Sequence, residues 1–152
     1  GPISELAPGQ PALGRVRKTV MRLRRSKGMV VDHADSESRS AGSFFMNPFV
    51  SPEKFTDIQR RWTGEGNSDP IPYYQSTGGV KIPAAWLVEH AGFPRGTNRG
   101  NMGVSTKHAL ALVNRGGTTK ELLALATEIQ DAVSRLFGIF LSIEPVVVSP
   151  EL

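Results

Sequence analysis

Cysteine is absent from this 152-residue chain, which excludes disulfide frameworks, thiolate zinc sites, iron–sulfur clusters and cysteine nucleophiles. A reducing, cytoplasmic setting fits that absence. No apolar run reaches the roughly 20 residues that a membrane-spanning helix needs, and the N-terminus lacks the basic-then-apolar order of a signal peptide. No membrane partner is therefore expected. Neither a Gly-x-x-x-x-Gly-Lys nor a Gly-x-Gly-x-x-Gly loop occurs, so the glycine-rich pieces Gly78-Gly79 and Gly100-Asn-Met-Gly103 are expected to be turns rather than nucleotide cradles. The histidines, His33, His90 and His108, are too far apart in sequence to read as a ligand set, so no metal site is expected.

What is present has the composition of one globular domain, 39% hydrophobic and 21% charged. The net charge of +4 is unevenly placed: residues 1–31 hold seven of the 18 Lys and Arg and a single acid, Glu5, and the remainder is slightly acidic. This basic stretch, Ala12 to Lys27, carries Val16, Val20, Met21 and Leu23 at helix-like spacing and reads as an amphipathic helix with a solvated basic face. A nucleic-acid interface would call for stacking aromatics nearby, and none precedes Phe44.

The opening 1–14 is rich in Gly and Pro and reads as a tail or linker, with the domain proper over 15–152. Met29-Val-Val31 is a short strand candidate, and Asp32 to Arg39 reads as a polar loop. Ser51-Pro52-Glu53 has the cap, the proline and the acid of a helix start, and that helix should reach about Trp62. A second helix is expected over Pro83 to Ala91, ended by Gly92, with Ala84, Trp86, Leu87 and Ala91 inward. Ala109 to Val113 reads as a buried strand. Thr118 and Glu121 form a capping box for a helix whose face is Leu122, Ala126, Ile129, Val133 and Leu136 or Phe137, stopped by Gly138. Ile139 to Ile143 and Val146 to Val148 read as a strand broken at Pro145. Without a regular βαβ rhythm, the expectation is an α+β single domain: a small mixed or antiparallel sheet covered by helices.

Two residues stand out chemically. Ser43 lies in Ala41-Gly-Ser-Phe-Phe-Met-Asn-Pro48, where Gly42 permits close backbone approach and the paired aromatics bury the segment. A hydroxyl held there can donate a proton, although the Gly-x-Ser-x-Gly elbow of an acyl-transfer nucleophile is missing. Glu144 is an acid within an apolar terminal run. Facing inward it is a functional candidate; facing outward it is a solvated strand residue, and local alternation leaves both open.

Ser40-Ala-Gly-Ser-Phe-Phe-Met-Asn-Pro48, Pro83-Ala-Ala-Trp-Leu-Val-Glu-His-Ala-Gly92, Val104-Ser-Thr-Lys-His-Ala-Leu-Ala-Leu-Val-Asn114, and Phe137-Gly138 before Leu141 and Glu144, in this order, resemble the C-terminal substrate-binding domain of the UDP-N-acetylenolpyruvoylglucosamine reductases, the MurB-type flavoenzymes of bacterial peptidoglycan synthesis. The resemblance extends from about Val16 onward and includes Arg24-Arg-Ser-Lys-Gly-Met29.

The resemblance implies a reaction in which NADPH reduces FAD, the flavin passes hydride to the double bond of UDP-N-acetylglucosamine enolpyruvate, and a proton reaches the neighbouring carbon. Ser43 matches the family's proton donor and Glu144 the acid that completes its active site, although the family usually reads Leu-Glu-x-Glu-Val where this chain has Leu141-Ser-Ile-Glu-Pro145. Lys27, Asn47, Arg95 and His108 match substrate-contact positions; His108 falls where some relatives have glutamine, and Met46 where many have lysine. The FAD-binding domains lie N-terminal to this region in the family, so the chain is expected to fold, to hold no flavin and to show no reductase activity alone. The alternatives are a non-catalytic interaction module derived from the same domain and a basic nucleic-acid-binding domain.

Overall fold

The computed structural model describes residues 10–148. Its elements in order are α1 (Gln10–Ser26), a single 3-10 turn (Ser36–Ser38), β1 (Ser40–Ser43), β2 (Phe49–Val50), α2 (Pro52–Gly64), β3 (Tyr74–Ser76), β4 (Gly79–Lys81), α3 (Ala84–His90), β5 (Asn98–Arg99), β6 (Met102–Val104), β7 (Ala111–Asn114) and α4 (Thr119–Phe137). The α+β class is as expected, but the strands form two antiparallel sheets, ordered β1-β7-β6-β5 and β2-β4-β3.

Capping chemistry sets the helix limits. The Ser51 side chain accepts from Lys54 N ahead of Pro52, and Thr118 with Glu121 completes the capping box of α4. Gly138, in the left-handed region at φ 63°, stops α4, where a side chain would be strained. Phe55, Ile58 and Trp62 form the buried face of α2; Ala84, Leu87 and Val88 that of α3; Leu125, Ala126, Ile129, Val133 and Phe137 that of α4. Trp62, Trp86 and Phe137 meet edge-on or tilted at centroid separations of 5.2–5.6 Å, locking the three helices together. Helix α4 lies over β6, β7 and α3, while α2 lies against β4.

Three sequence expectations need correction. Helix α1 starts at Gln10, inside the stretch read as tail, and residues 1–9 lie outside the described residues. None of its described residues enters the core; Val20 and Leu23 are exposed. Met29-Val-Val31 is not a strand: Val31 is 83% exposed, and the backbone there is satisfied locally, Met29 N donating to Arg24 O and Asp32 N to the Ser38 hydroxyl. Nor do residues 139–148 form a strand. They run extended, with Ile139 and Leu141 buried and Phe140 exposed, but pair only through the Phe45–Ile143 bridge. The Gln130 side chain takes the Leu141 carbonyl at 2.7 Å, so a helix side chain replaces a ladder partner, and Pro145 has no N–H to extend the pairing.

Candidate functional site

The serine segment is aimed by a β-bulge. Ser40 pairs with Val113 and Ser43 with Ala111, so β1 spends one residue more than β7 over the same span. Gly42, at φ 83°, takes the conformation that this irregularity requires. After the bulge, Phe44 and Phe45 are buried in succession at 3% and 1% exposure, which an unbroken pleat would not allow. The segment is then held on both sides. Phe44 N donates to Leu110 O, while Met46 N donates to Ser142 O and Glu144 N to Phe44 O. The terminal segment thereby carries Glu144 to Ser43, and the exposed Glu144 side chain faces an open cleft rather than the core.

Two hollows meet at this pair. The first, about 450 Å³, is lined by Arg24, Lys27, Met29, Gly42, Ser43, His108 and Glu144. The second, about 330 Å³, is lined by Ser43, Met46, Asn47, Phe49, Lys81, Leu110 and Glu144. Ser43 and Glu144 belong to both, so they stand at the junction of one continuous groove with a cationic arm and a mixed arm.

The end of α1 builds the cationic arm. Gly28, at φ 67°, turns the chain back, and the Arg24 guanidinium donates to Met29 O at 3.3 Å. Opposite, the His108 ring nitrogen Nδ1 accepts from Leu110 N at 3.1 Å, which leaves Nε2–H as the free donor of the neutral ring. Burial pushes the His108 pKa down, and the positive charges of Lys27 and then Arg95 push it further, against Glu89. Lys27 and Arg95 thus both bear on the His108 ring. Arg95 itself stands at the rim, 3.3 Å from Glu89, and lines neither hollow.

The loop bearing His108 is tied down from below. Glu37 accepts from the Ser105 hydroxyl at 2.7 Å, from Thr106 N at 2.6 Å and from Arg115 at 2.9 Å, and Lys107 meets Asp35 at 2.6 Å. Burial alone would raise the Glu37 carboxyl; the hydrogen bonds from Ser105, Arg115 and Thr106 outweigh it and hold the pKa at about 2. This ion cluster ties the residues before β1 to the loop between β6 and β7 and to Arg115 just after β7.

Of the residues singled out from the sequence, Ser43, Glu144, Lys27 and His108 line the first hollow and Asn47 the second, with Arg95 at the edge. Asn47 also has a structural role, because its Oδ1 accepts from Ala84 N at 2.8 Å and caps α3 where Pro83 offers no side-chain acceptor. Sequence reasoning missed Arg24 and Lys81. Arg24 was legible, because it stands one helical turn before Lys27. Lys81 required knowledge of the pairing between β2 and β4.

A family model described as the C-terminal domain of UDP-N-acetylenolpyruvoylglucosamine reductase matches residues 33–148. A UDP-N-acetylenolpyruvoylglucosamine reductase of Thermobifida fusca is 51% identical over 142 residues, covering 91% of this chain and 40% of the relative. The reductase of the same name from Streptomyces coelicolor is 46% identical over 90% of this chain and 36% of its own length, and that of Mycobacterium tuberculosis 44% over 88% and 37%. The chain thus spans about two fifths of the curated relatives it matches. With motif order, site geometry and sequence identity in agreement, this chain belongs to the family of UDP-N-acetylenolpyruvoylglucosamine reductase C-terminal domains.

Proposed function

We propose that this chain is the substrate-binding and proton-donating part of a bacterial cytoplasmic reductase that converts UDP-N-acetylglucosamine enolpyruvate to UDP-N-acetylmuramate in peptidoglycan synthesis. The observation that carries this reading is the meeting of Ser43 and Glu144 at the junction of a groove with Arg24, Lys27 and His108 along one arm. Guanidinium, ammonium and imidazole N–H donors suit a diphosphate.

The described residues do not fit FAD. Gly78 lies in the turn joining β3 to β4, Gly79 opens β4 as the partner of Ser76, and Gly100 lies in the turn joining β5 to β6, so neither glycine-rich piece is free to cradle the cofactor's diphosphate. FAD and NADPH are assigned to the rest of the enzyme. What this chain contributes is position and a proton. The Ser43 O–H bond breaks as a C–H bond forms at the carbon next to the one that has gained hydride, and the serine oxygen regains its proton from solvent. Glu144 reaches the same point from the opposite segment and completes the site at which negative charge builds on the substrate as hydride arrives and is discharged as the proton follows. Isolated from its partner domains, the chain binds substrate weakly and turns over nothing, because an open groove neither orients the reactants nor excludes water.

The decisive experiment is Ser43→Ala in the full-length reductase. Flavin reduction by NADPH proceeds at its normal rate while reoxidation by substrate slows by roughly 10²–10⁴-fold; unchanged turnover removes Ser43 from the mechanism. Calorimetry of the chain with UDP-sugar and with DNA, in wild type and in a Lys27→Ala, Arg95→Ala variant, separates this reading from nucleic-acid binding by the basic helix.

A further inference from the structure

We infer that Lys81 is a further ligand-binding residue, holding an anionic oxygen group of the ligand, carboxylate or phosphate, in the second hollow beside Ser43. Its direction follows from the pleat. Val80 and Ile82 are 2% and 0% exposed, so Lys81 between them leaves the core on the opposite face of β4. Its place along the groove follows from register: Lys81 is the partner of Phe49, two residues beyond Asn47, and Ile82 N donates to Pro48 O at 3.0 Å. Pairing with β2, the strand that follows the serine segment, therefore sets the β4 lysine at the groove.

The ammonium is held but not neutralised. It lies over the Phe49 ring at 5.4 Å from the centroid, a contact that fixes the stem and leaves N–H donors to spare. Among the described residues Lys81 makes no ion pair. Its neighbour Asn47 spends its carbonyl oxygen on Ala84 N, so the amide can offer the hollow only its N–H groups. With the Ser43 hydroxyl, the second arm presents donors from three residues and a single carboxylate, Glu144, at its border with the first arm. Such a set selects an acceptor of negative charge and repels it from the Glu144 side.

The inference rests on the proposed reading of the ligand, which carries a diphosphate on one side of the reacting double bond and a carboxylate on the other. A groove with cations along both arms and the proton donor between them matches that order.

Titration of the chain by amide NMR with UDP, with UDP-N-acetylglucosamine enolpyruvate and with inorganic pyrophosphate, in wild type, Lys81→Gln, Lys81→Arg and Lys27→Gln, tests the inference. Lys81→Gln weakens binding by about tenfold, the worth of a hydrogen bond to a charged group, and Lys81→Arg recovers most of it with native-like amide dispersion. Loss confined to the enolpyruvyl compound identifies the bound group as the carboxylate; loss shared by UDP and pyrophosphate identifies it as phosphate. Unchanged affinity for all three ligands in Lys81→Gln, with Lys27→Gln still weakening UDP, overturns the inference and leaves the proposed function standing. Failure of the wild-type chain to bind any of the three overturns both.

Discussion

The backbone N–H of Glu144 donates to the carbonyl of Phe44 at 3.0 Å, one residue beyond Ser43. This bond joins the terminal segment to the serine segment and closes the candidate site. Everything that controls the terminal segment therefore bears on where the Glu144 carboxylate stands, and everything that controls the bulge bears on Ser43.

Gln130 is the first such control. Its amide holds the Leu141 carbonyl at 2.7 Å in a buried setting. Gln130→Ala leaves that carbonyl unpaired and costs about 1–3 kcal/mol in chemical denaturation. It also loosens residues 142–144, so amide exchange accelerates there more than in β6 or β7. Uniform protection across all three segments would contradict this coupling.

Asn47 carries two functions that can be separated. Asn47→Ala loses the acceptor for Ala84 N and costs about 0.5–2 kcal/mol. Asn47→Asp keeps an acceptor at that position, so stability stays near wild type while the N–H donors to the groove are lost and UDP-sugar affinity falls. Thermal unfolding and ligand titration on the two variants read the two functions independently.

For His108 the sign of the pH effect follows from its surroundings. Burial and the charges of Lys27 and Arg95 depress its folded-state pKa, so the neutral ring dominates above that depressed value and protonation as pH falls works against folding. An anion in the cationic arm reverses the balance. Pyrophosphate should raise the His108 pKa and bind more tightly as pH decreases through it, and Lys27→Gln should raise the pKa of the free protein; imidazole proton shifts followed by NMR against pH measure both.

Glu37 works in the acid range. Its folded pKa of about 2 lies below the ordinary carboxylate value of 4.5, so its contribution to stability is complete above about pH 4.5 and disappears as pH falls toward 2. The shift corresponds to about 3 kcal/mol. Glu37→Gln should destabilise the fold at neutral pH and flatten its acid-denaturation curve in that window; an unaltered curve would assign the acid sensitivity to other carboxylates.

Local chemistry was readable from the sequence wherever the determining contacts lie a few residues apart. Ser51 with Pro52, Thr118 with Glu121, and Gly138 carry their helix boundaries in side chains and backbone freedom alone, and the apolar spacing of α4 marks most of its buried face. Motif order singled out Ser43, Glu144, Lys27, Asn47 and His108, and all five line one or other of the two hollows. Met29-Val-Val31 and the terminal valines have strand-forming composition but no ladder partner within reach, and propensity cannot supply one. Tertiary structure decided what depends on distant pairing: the bulge that turns Ser43 into the groove, the segment that brings Glu144 beside it, and the β2–β4 register that delivers Lys81. The physical reason is that side-chain type and spacing dictate local backbone preference, whereas the meeting of groups tens of residues apart depends on hydrogen bonds and packing that exist only once the chain has folded.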